Sequence, residues 1–307
     1  MSIPEKLLGD NKMAKIAFLG LGVMGYPMAG HLLKKGGHDV TVYNRTAAKS
    51  AQWVKEYGGK SAATPKEAVA GADLVAMCLG NDDDVRSVIY GPDGESGGAL
   101  AGMKKGALLV DHTTASAILA RELHAACKEK GIGFVDAPVS GGQAGAVNGQ
   151  LGIMCGGEQA DFDRAKPVLD LYAKSCALIG APGAGQLTKM VNQIAIAGLL
   201  QGLSEALNFG MKAGLDMEKV ISVISKGAAQ SWQMENRWKN MTEVKFDGFG
   251  FAVDWMRKDL GICLEEAKKN GARLPTTAMI DQFYAQVQAR GGKRWDTCSL
   301  MHLLAKD

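Results

Sequence analysis

From Lys15 to about Gly180, short apolar runs alternate with longer amphipathic stretches. The runs at 16–19, 40–43, 74–79, 108–110, 133–136 and 153–155 are four to six residues or shorter and read as strands. Between them, the stretch 116–130 brings Ile118, Leu119, Leu123 and Ala126 round at helical spacing. Strands that alternate with helices predict parallel pairing through crossover helices, an α/β domain over residues 13–180. After Gly180 the pattern changes. Residues 185–212 read as one long helix, apolar nearly all round through Met190, Val191, Ile194, Ile196, Leu199, Leu200 and Leu203. Such a helix is expected to be buried between domains or between subunits. The rest keeps helical periodicity with few β-branched runs, so an all-α domain is expected over 181–307.

Charge and cysteine content narrow the class. The 35 basic and 32 acidic residues leave a net +3, and no Lys/Arg run interrupts the chain, so nucleic acid is not an expected partner. Cysteines 78, 127, 155, 176, 263 and 298 are scattered singly, and no secretory signal precedes the first strand. Reduced thiols and a cytoplasmic location are therefore expected. No uninterrupted apolar run reaches about 18 residues, which argues against a membrane span. No HxxxH or CxxC occurs and His112 has no partner at metal spacing, so no metal is expected. Residues 1–12 are polar and precede a second methionine, Met13, which suggests an alternative start or an unstructured extension.

The first chemical motif is Gly20-Leu21-Gly22-Val23-Met24-Gly25, placed between the first strand and the helix around Met28. In a dinucleotide-binding turn the first glycine permits the tight bend and the second admits the pyrophosphate. The third lets helix pack on strand. The helix N-terminus then offers N–H groups and positive dipole to the phosphates. Strand, turn, helix and second strand follow in the order that a Rossmann-type domain requires. The second strand ends in Asn44-Arg45-Thr46, where an NAD enzyme usually presents a carboxylate to the ribose 2′-hydroxyl. Arg45 would instead pair with a 2′-phosphate, which favours NADP over NAD.

These residues, with Asp111-His112-Thr113-Thr114, Asp136-Ala137-Pro138-Val139-Ser140-Gly141-Gly142 and Gly180-x-x-Gly183-x-Gly185-x-x-x-Lys189-x-x-Asn192, resemble the β-hydroxyacid dehydrogenase family. That family includes 3-hydroxyisobutyrate dehydrogenases, tartronate semialdehyde reductases and glyoxylate/succinic semialdehyde reductases. The resemblance runs from Lys15 to about Leu303. It implies a Rossmann domain, a long interdomain helix, a helical second domain, and homodimers or homotetramers. It further implies that a small carboxylate-bearing semialdehyde, or a 2-oxo acid such as glyoxylate, exchanges with its hydroxy acid by hydride transfer.

Lys189 stands near the start of the long helix, where dipole and burial both disfavour an ammonium and would lower a reference pKa of roughly 10.4. Spacing alone leaves it open between a general acid/base and a snorkelling lysine. The resemblance implies the former. Asn192 and Gln193 follow on the same face, and the family usually has asparagine where this chain has Gln193, so either could orient the substrate oxygen. Ser140, Gly141 and Gly142 offer a hydroxyl and approachable N–H groups to a carboxylate, or only a tight turn. By resemblance Thr114 contacts the cofactor near its nicotinamide half, and Leu79 and Lys258 count with the cofactor residues. Trp232 and Met234 fall in the family's variable substrate stretch, although a methionine and an aromatic at helical spacing are more often core. Ile196 occupies the position of the glutamate that serves decarboxylation in phosphogluconate dehydrogenases, which leaves simple hydride transfer. Two alternatives remain on this scaffold: an imine or bulky-carbonyl reductase, and a non-catalytic cofactor-binding protein, against which the retained Lys189 argues.

Overall fold

The computed structural model describes residues 13–91 and 97–305, and the reading of residues 1–12 lies outside them. In chain order the first elements are β1 (Lys15–Leu19), α1 (Gly25–Lys34), β2 (Asp39–Tyr43), α2 (Ala47–Tyr57), β3 (Lys60–Ser61), α3 (Pro65–Ala68) and β4 (Leu74–Met77). There follow α4 (Asp82–Tyr90), α5 (Ala99–Gly102), β5 (Leu108–Asp111), α6 (Ala117–Glu129), β6 (Gly133–Asp136), β7 (Val139–Ser140), α7 (Gly142–Asn148), β8 (Leu151–Gly157), α8 (Gln159–Leu169) and β9 (Ala173–Gly180). The helical remainder is α9 (Ala184–Lys212), α10 (Met217–Ile224), α11 (Trp232–Thr242), α12 (Val253–Asn270) and α13 (Pro275–Ala289), closed by 3₁₀ turns at Gly292–Arg294 and Thr297–Leu303. The chain divides into two compact units, one running to Lys189 and one from Met190.

The first unit is built on a nine-stranded sheet of order β3-β2-β1-β4-β5-β6-β8-β7, with β9 paired to β8. Strand β1 shows why its sequence is apolar without alternation: Ile16 and Phe18 enter one core, Ala17 and Leu19 the other, on opposite faces of the sheet. Helices cover both faces, the doubly wound arrangement. Strand order reverses between β1 and β4, so the crevice beyond their carboxyl ends is where such a sheet binds ligand.

Not every pair is parallel as the alternation of elements predicted. Strand β8 runs antiparallel to β6 and β7. The chain leaves β6 through Ala137-Pro138 and returns after the seven-residue α7, too short a connection for a crossover helix. The fourth strand also stops at Met77 rather than Leu79, because the N–H of Leu79 donates to the Thr113 hydroxyl at 2.9 Å instead of to a neighbouring strand.

The second unit is all helical. Ala197, Leu200, Leu203 and Leu207 of α9 pack with Val253, Met256 and Leu260 of α12 and Ile280, Tyr284 and Val287 of α13. Truncating a buried aliphatic such as Leu200 to alanine is expected to cost about 2–5 kcal/mol. Arg257 joins α12 to α13 by a two-point pair with Asp281, at 2.9 and 3.0 Å. Helix α9 is long and apolar enough, by length and composition, to cross a bilayer, with a mean hydropathy of 1.2 over its most apolar window. It also carries buried Gln193, Gln201 and Ser204. Its apolar surface is only partly covered within the chain: Val191, Leu199 and Phe209 are exposed.

Candidate active site

The glycine loop follows β1 at the switch point. Gly20 has φ +97°, and a Cβ there would strike the carbonyl of Cys78 and lie 2.8 Å from Leu79 Cδ2. At Gly25 a Cβ would strike the Gly20 carbonyl and lie 2.8 Å from Phe18, so helix α1 rests on β1 only because this residue has no side chain. Gly22 is different. Nothing lies within 4 Å of its Cβ position, which leaves open approach to the backbone. No side chain caps the N-terminus of α1. Open backbone beside an uncapped helix start fits a pyrophosphate.

On this loop Leu21 is buried, Met24 half-buried and Val23 exposed. Asn44 braces the loop: its Oδ1 accepts the N–H of Leu21 at 2.9 Å, and its amide donates to the Thr46 carbonyl at 3.1 Å. Arg45 projects from the same corner, its side chain 86% exposed and paired with Asp84 at 3.1 Å. Such a surface pair is worth at most about 1 kcal/mol, so Arg45 can exchange it for another anion.

At the end of β5, the Asp111 carboxylate accepts the N–H of Thr113 at 2.8 Å. Burial pushes the Asp111 carboxyl up to about 7. His112 is buried: Nδ1 lies 2.7 Å from the Ala137 carbonyl and Nε2 lies 2.9 Å from the Tyr172 hydroxyl. A carbonyl only accepts, so Nδ1 carries the proton. Burial lowers the imidazole to about 4, so the ring is neutral and Nε2 accepts from Tyr172. His112 is thereby a strut beneath the motif. Thr114 is half-buried at the loop that follows.

Asp136 ends β6 and is fully buried. Its two oxygens accept the N–H groups of Gly183 and Gln186 at 2.8 and 2.9 Å, closing the start of α9 from 47 residues upstream. A Cβ on Gly185 would lie 2.8 Å from this carboxylate, and one on Gly156 2.5 Å from it, which explains the glycines. Burial raises the Asp136 carboxyl to about 6, in spite of the hydrogen bonds that lower it. Lys189 lies at the end of this unit on the second turn of α9 and is 7% exposed. Ser140 is half-buried, while Gly141 and Gly142 are exposed with φ of +128° and +61°, so the turn into α7 requires glycine.

In the second unit, Gln193 is buried and its amide donates to Asp259 Oδ2 at 2.6 Å, while Asn192 donates to Gln193 Oε1 at 2.8 Å. Asp259 Oδ1 lies 3.0 Å from Lys258 Nζ. The structure thus links Asn192, Gln193 and Lys258 through an aspartate that the motif reading passed over. Met234 is buried in the core of this unit, the ordinary place for a methionine at helical spacing. Trp232 is half exposed, under the Arg237 guanidinium at 5.0 Å. Ile196 packs against the same core. Among the described residues, no group of three or more His, Cys, Asp or Glu could hold a metal ion.

Three residues with clear geometric work escaped the sequence: Asp136, Gln186 and Asp259. Asp136 stood inside a quoted motif, yet its partners lie some 50 residues on. Asp259 follows Lys258 directly on an amphipathic helix, where an acidic neighbour reads as solvated charge.

Comparison with known proteins agrees with this fold. The family model for the NAD binding domain of 6-phosphogluconate dehydrogenase matches residues 15–180, and that for the NAD-binding region of NADP-dependent 3-hydroxyisobutyrate dehydrogenase matches residues 183–304. An uncharacterised oxidoreductase of Shewanella frigidimarina is 63% identical, covering 96% of this chain and 99% of its own. The 2-hydroxy-3-oxopropionate reductase of Escherichia coli is 34% identical over 94% and 97% of the two chains. The solved 3-hydroxyisobutyrate dehydrogenase of Mycobacterium tuberculosis, with L-serine, superimposes with a TM-score of 0.85 at 31% identity, covering 96% of this chain and 100% of that one. The chain belongs to the β-hydroxyacid dehydrogenase family, of the 3-hydroxyisobutyrate dehydrogenase and 2-hydroxy-3-oxopropionate reductase type, and is an NAD(P)-binding oxidoreductase acting on CH–OH groups.

Proposed function

We propose that this chain interconverts a small semialdehyde bearing a carboxylate, or a 2-oxo acid such as glyoxylate, with its hydroxy acid, using NADP(H) in preference to NAD(H). When bound, the nicotinamide would supply or accept the hydride, which no side chain can do. Residues 20–25 would hold the pyrophosphate, with Asn44 keeping that loop in shape. Arg45 and the Thr46 backbone would meet the 2′-phosphate. Leu79, Thr114 and Lys258 would line the rest of the cofactor's path.

Ser140 and the N–H groups of Gly141 and Gly142 would fix the substrate carboxylate. Lys189 would then give a proton to the carbonyl oxygen during reduction and take it back from the hydroxyl during oxidation. Asn192 or Gln193 would orient that oxygen. The observation that carries this reading is the placing of Lys189: 7% exposed, early on a helix whose start is closed by both oxygens of a buried aspartate. The test is absorbance at 340 nm with glyoxylate and succinic, tartronate and methylmalonate semialdehydes, each with NADPH and NADH. Turnover of one of them with NADPH preferred is expected. The absence of turnover with all four would refute the assignment.

The exposed Val191, Leu199 and Phe209 on α9 support a homodimer or homotetramer, because a lone chain rarely leaves such a face in water. Sedimentation velocity at micromolar concentration tests this, and a monomer would refute it.

A further inference from the structure

Gln186 precedes Lys189 by three residues on α9 and is 1% exposed. Both ends of its side-chain amide are engaged with one short stretch of main chain. Oε1 accepts the N–H of Ala115 at 3.0 Å, and Nε2 donates to the carbonyl of Thr113 at 2.7 Å. The amide therefore brackets Thr114. Its own backbone N–H donates to Asp136, so the residue doing the bracketing is itself pinned.

The rest of that loop is anchored elsewhere. Thr113 is tied to Asp111, the last residue of β5, and to Leu79, two residues past β4. Ser116 is tied through its N–H at 2.9 Å, and through its hydroxyl, to Asp82 at the start of α4. Gln186 is the member of this set that comes from α9. The bracket needs one acceptor and one donor at carboxamide spacing from the helix. Asparagine is a methylene too short, leucine has neither group, and an ionised glutamate would turn an oxygen toward the Thr113 carbonyl.

We infer that Gln186 is a positioning residue that fixes the Thr113–Ala115 main chain against the start of α9, and so sets Thr114 relative to Lys189. The inference rests on the proposed roles of those two residues, Thr114 toward the nicotinamide half and Lys189 as the proton-transfer group. A residue with this task affects the nicotinamide end of a bound dinucleotide and leaves its adenine end alone.

The test compares the full wild-type chain with Gln186→Leu and Gln186→Glu at pH 8. Isothermal titration measures NADPH and NADH against 2′-phospho-ADP-ribose and ADP-ribose, which lack nicotinamide. Both variants are expected to bind the better dinucleotide about tenfold more weakly, as the loss of two buried hydrogen bonds implies, while the matching fragment stays within about twofold. With a turned-over semialdehyde, kcat should fall about tenfold or more while its KM moves much less. At pH 6, part of the Gln186→Glu carboxyl is protonated and can donate to Thr113, so its deficit against wild type should narrow. Asp82, Asp111, His112, Asp136 and Lys189 surround this bracket, and the wild-type series at both pH values accounts for their titration.

Equal weakening of dinucleotide and fragment, or no weakening of either, would overturn the inference. If wild type reduces no semialdehyde but the dinucleotide-to-fragment gap shifts as described, Gln186 keeps its role and the proposed reaction falls.

Discussion

The buried amide of Gln193 donates a 2.6 Å hydrogen bond to the carboxylate of Asp259, joining α9 to α12. An asparagine there would be one methylene shorter. The extra methylene is what lets this side chain reach an aspartate on the neighbouring helix. Removing the carboxylate strands a buried donor, at a cost of about 1–3 kcal/mol. Asp259→Ala is therefore expected to lower kcat/KM about tenfold or more, with Asp259→Asn less severe because its carbonyl oxygen still accepts. Gln193→Asn should change the ranking among semialdehydes rather than abolish activity. Steady-state kinetics on the substrate panel check both. Unchanged kinetics in Asp259→Ala would detach this link from the site.

Arg45 is mostly exposed and paired with Asp84, so its preference is open to direct measurement. Arg45→Gln is expected to weaken NADPH about tenfold through loss of a charge-assisted contact, with NADH within about twofold. Asp84→Asn should tighten NADPH slightly by removing the competing carboxylate. Cofactor titration reads both, and a wild-type preference for NADH would refute the role given to Arg45.

The buried carboxyls make a signed contribution to stability. Burial raises Asp111 to about 7 and Asp136 to about 6 in the folded chain. Both hold their protons more tightly when folded. Their stabilising effect is thus complete below the unfolded value near 4 and is lost as pH rises through about 6 and about 7. His112 runs the other way: lowered to about 4, it destabilises as pH falls below its ordinary range. His31 and His38, also lowered by burial, share that sign. The clean comparison is Asp111→Asn, which keeps an acceptor for Thr113 and removes one titration. Relative to wild type it should gain stability between pH 5 and pH 8, on the order of 2 kcal/mol by urea unfolding. A constant difference across that range would contradict the burial account.

Tyr172→Phe isolates the strut beneath the motif. It leaves Nε2 of the buried, neutral His112 without its donor. A loss of about 1–3 kcal/mol is expected by denaturant titration, with little change in the dinucleotide Kd.

How much of this the sequence carried depends on how local each cause was. Glycine spacing at Gly20, Gly22 and Gly25 made the cofactor turn legible, because each glycine answers a constraint within a few residues. The long helix was legible to within one residue at its start, since an apolar periodicity of this length has no competing reading. The edge strand β9 was not read, although Cys176, Leu178 and Gly180 turn inward on alternate positions. Its outward residues include Ala177 and Ile179, which blur the alternation. The antiparallel return of β8 depends on a short connection rather than on any strand residue. Asp136, Gln186 and Asp259 act on partners 47, 73 and 66 positions away, and periodicity cannot show such pairings. Lys189 was the mixed case: spacing left it open, and the resemblance together with its burial give it weight.

Lys189 is therefore where the account is most exposed. Lys189→Ala should be measured for kcat at saturating NADPH with the best semialdehyde, alongside the Kd for NADPH. A fall in kcat of about 10²–10⁴ with cofactor affinity nearly unchanged is the expected result. Undiminished turnover in that variant would contradict the proton-transfer role at the centre of the account.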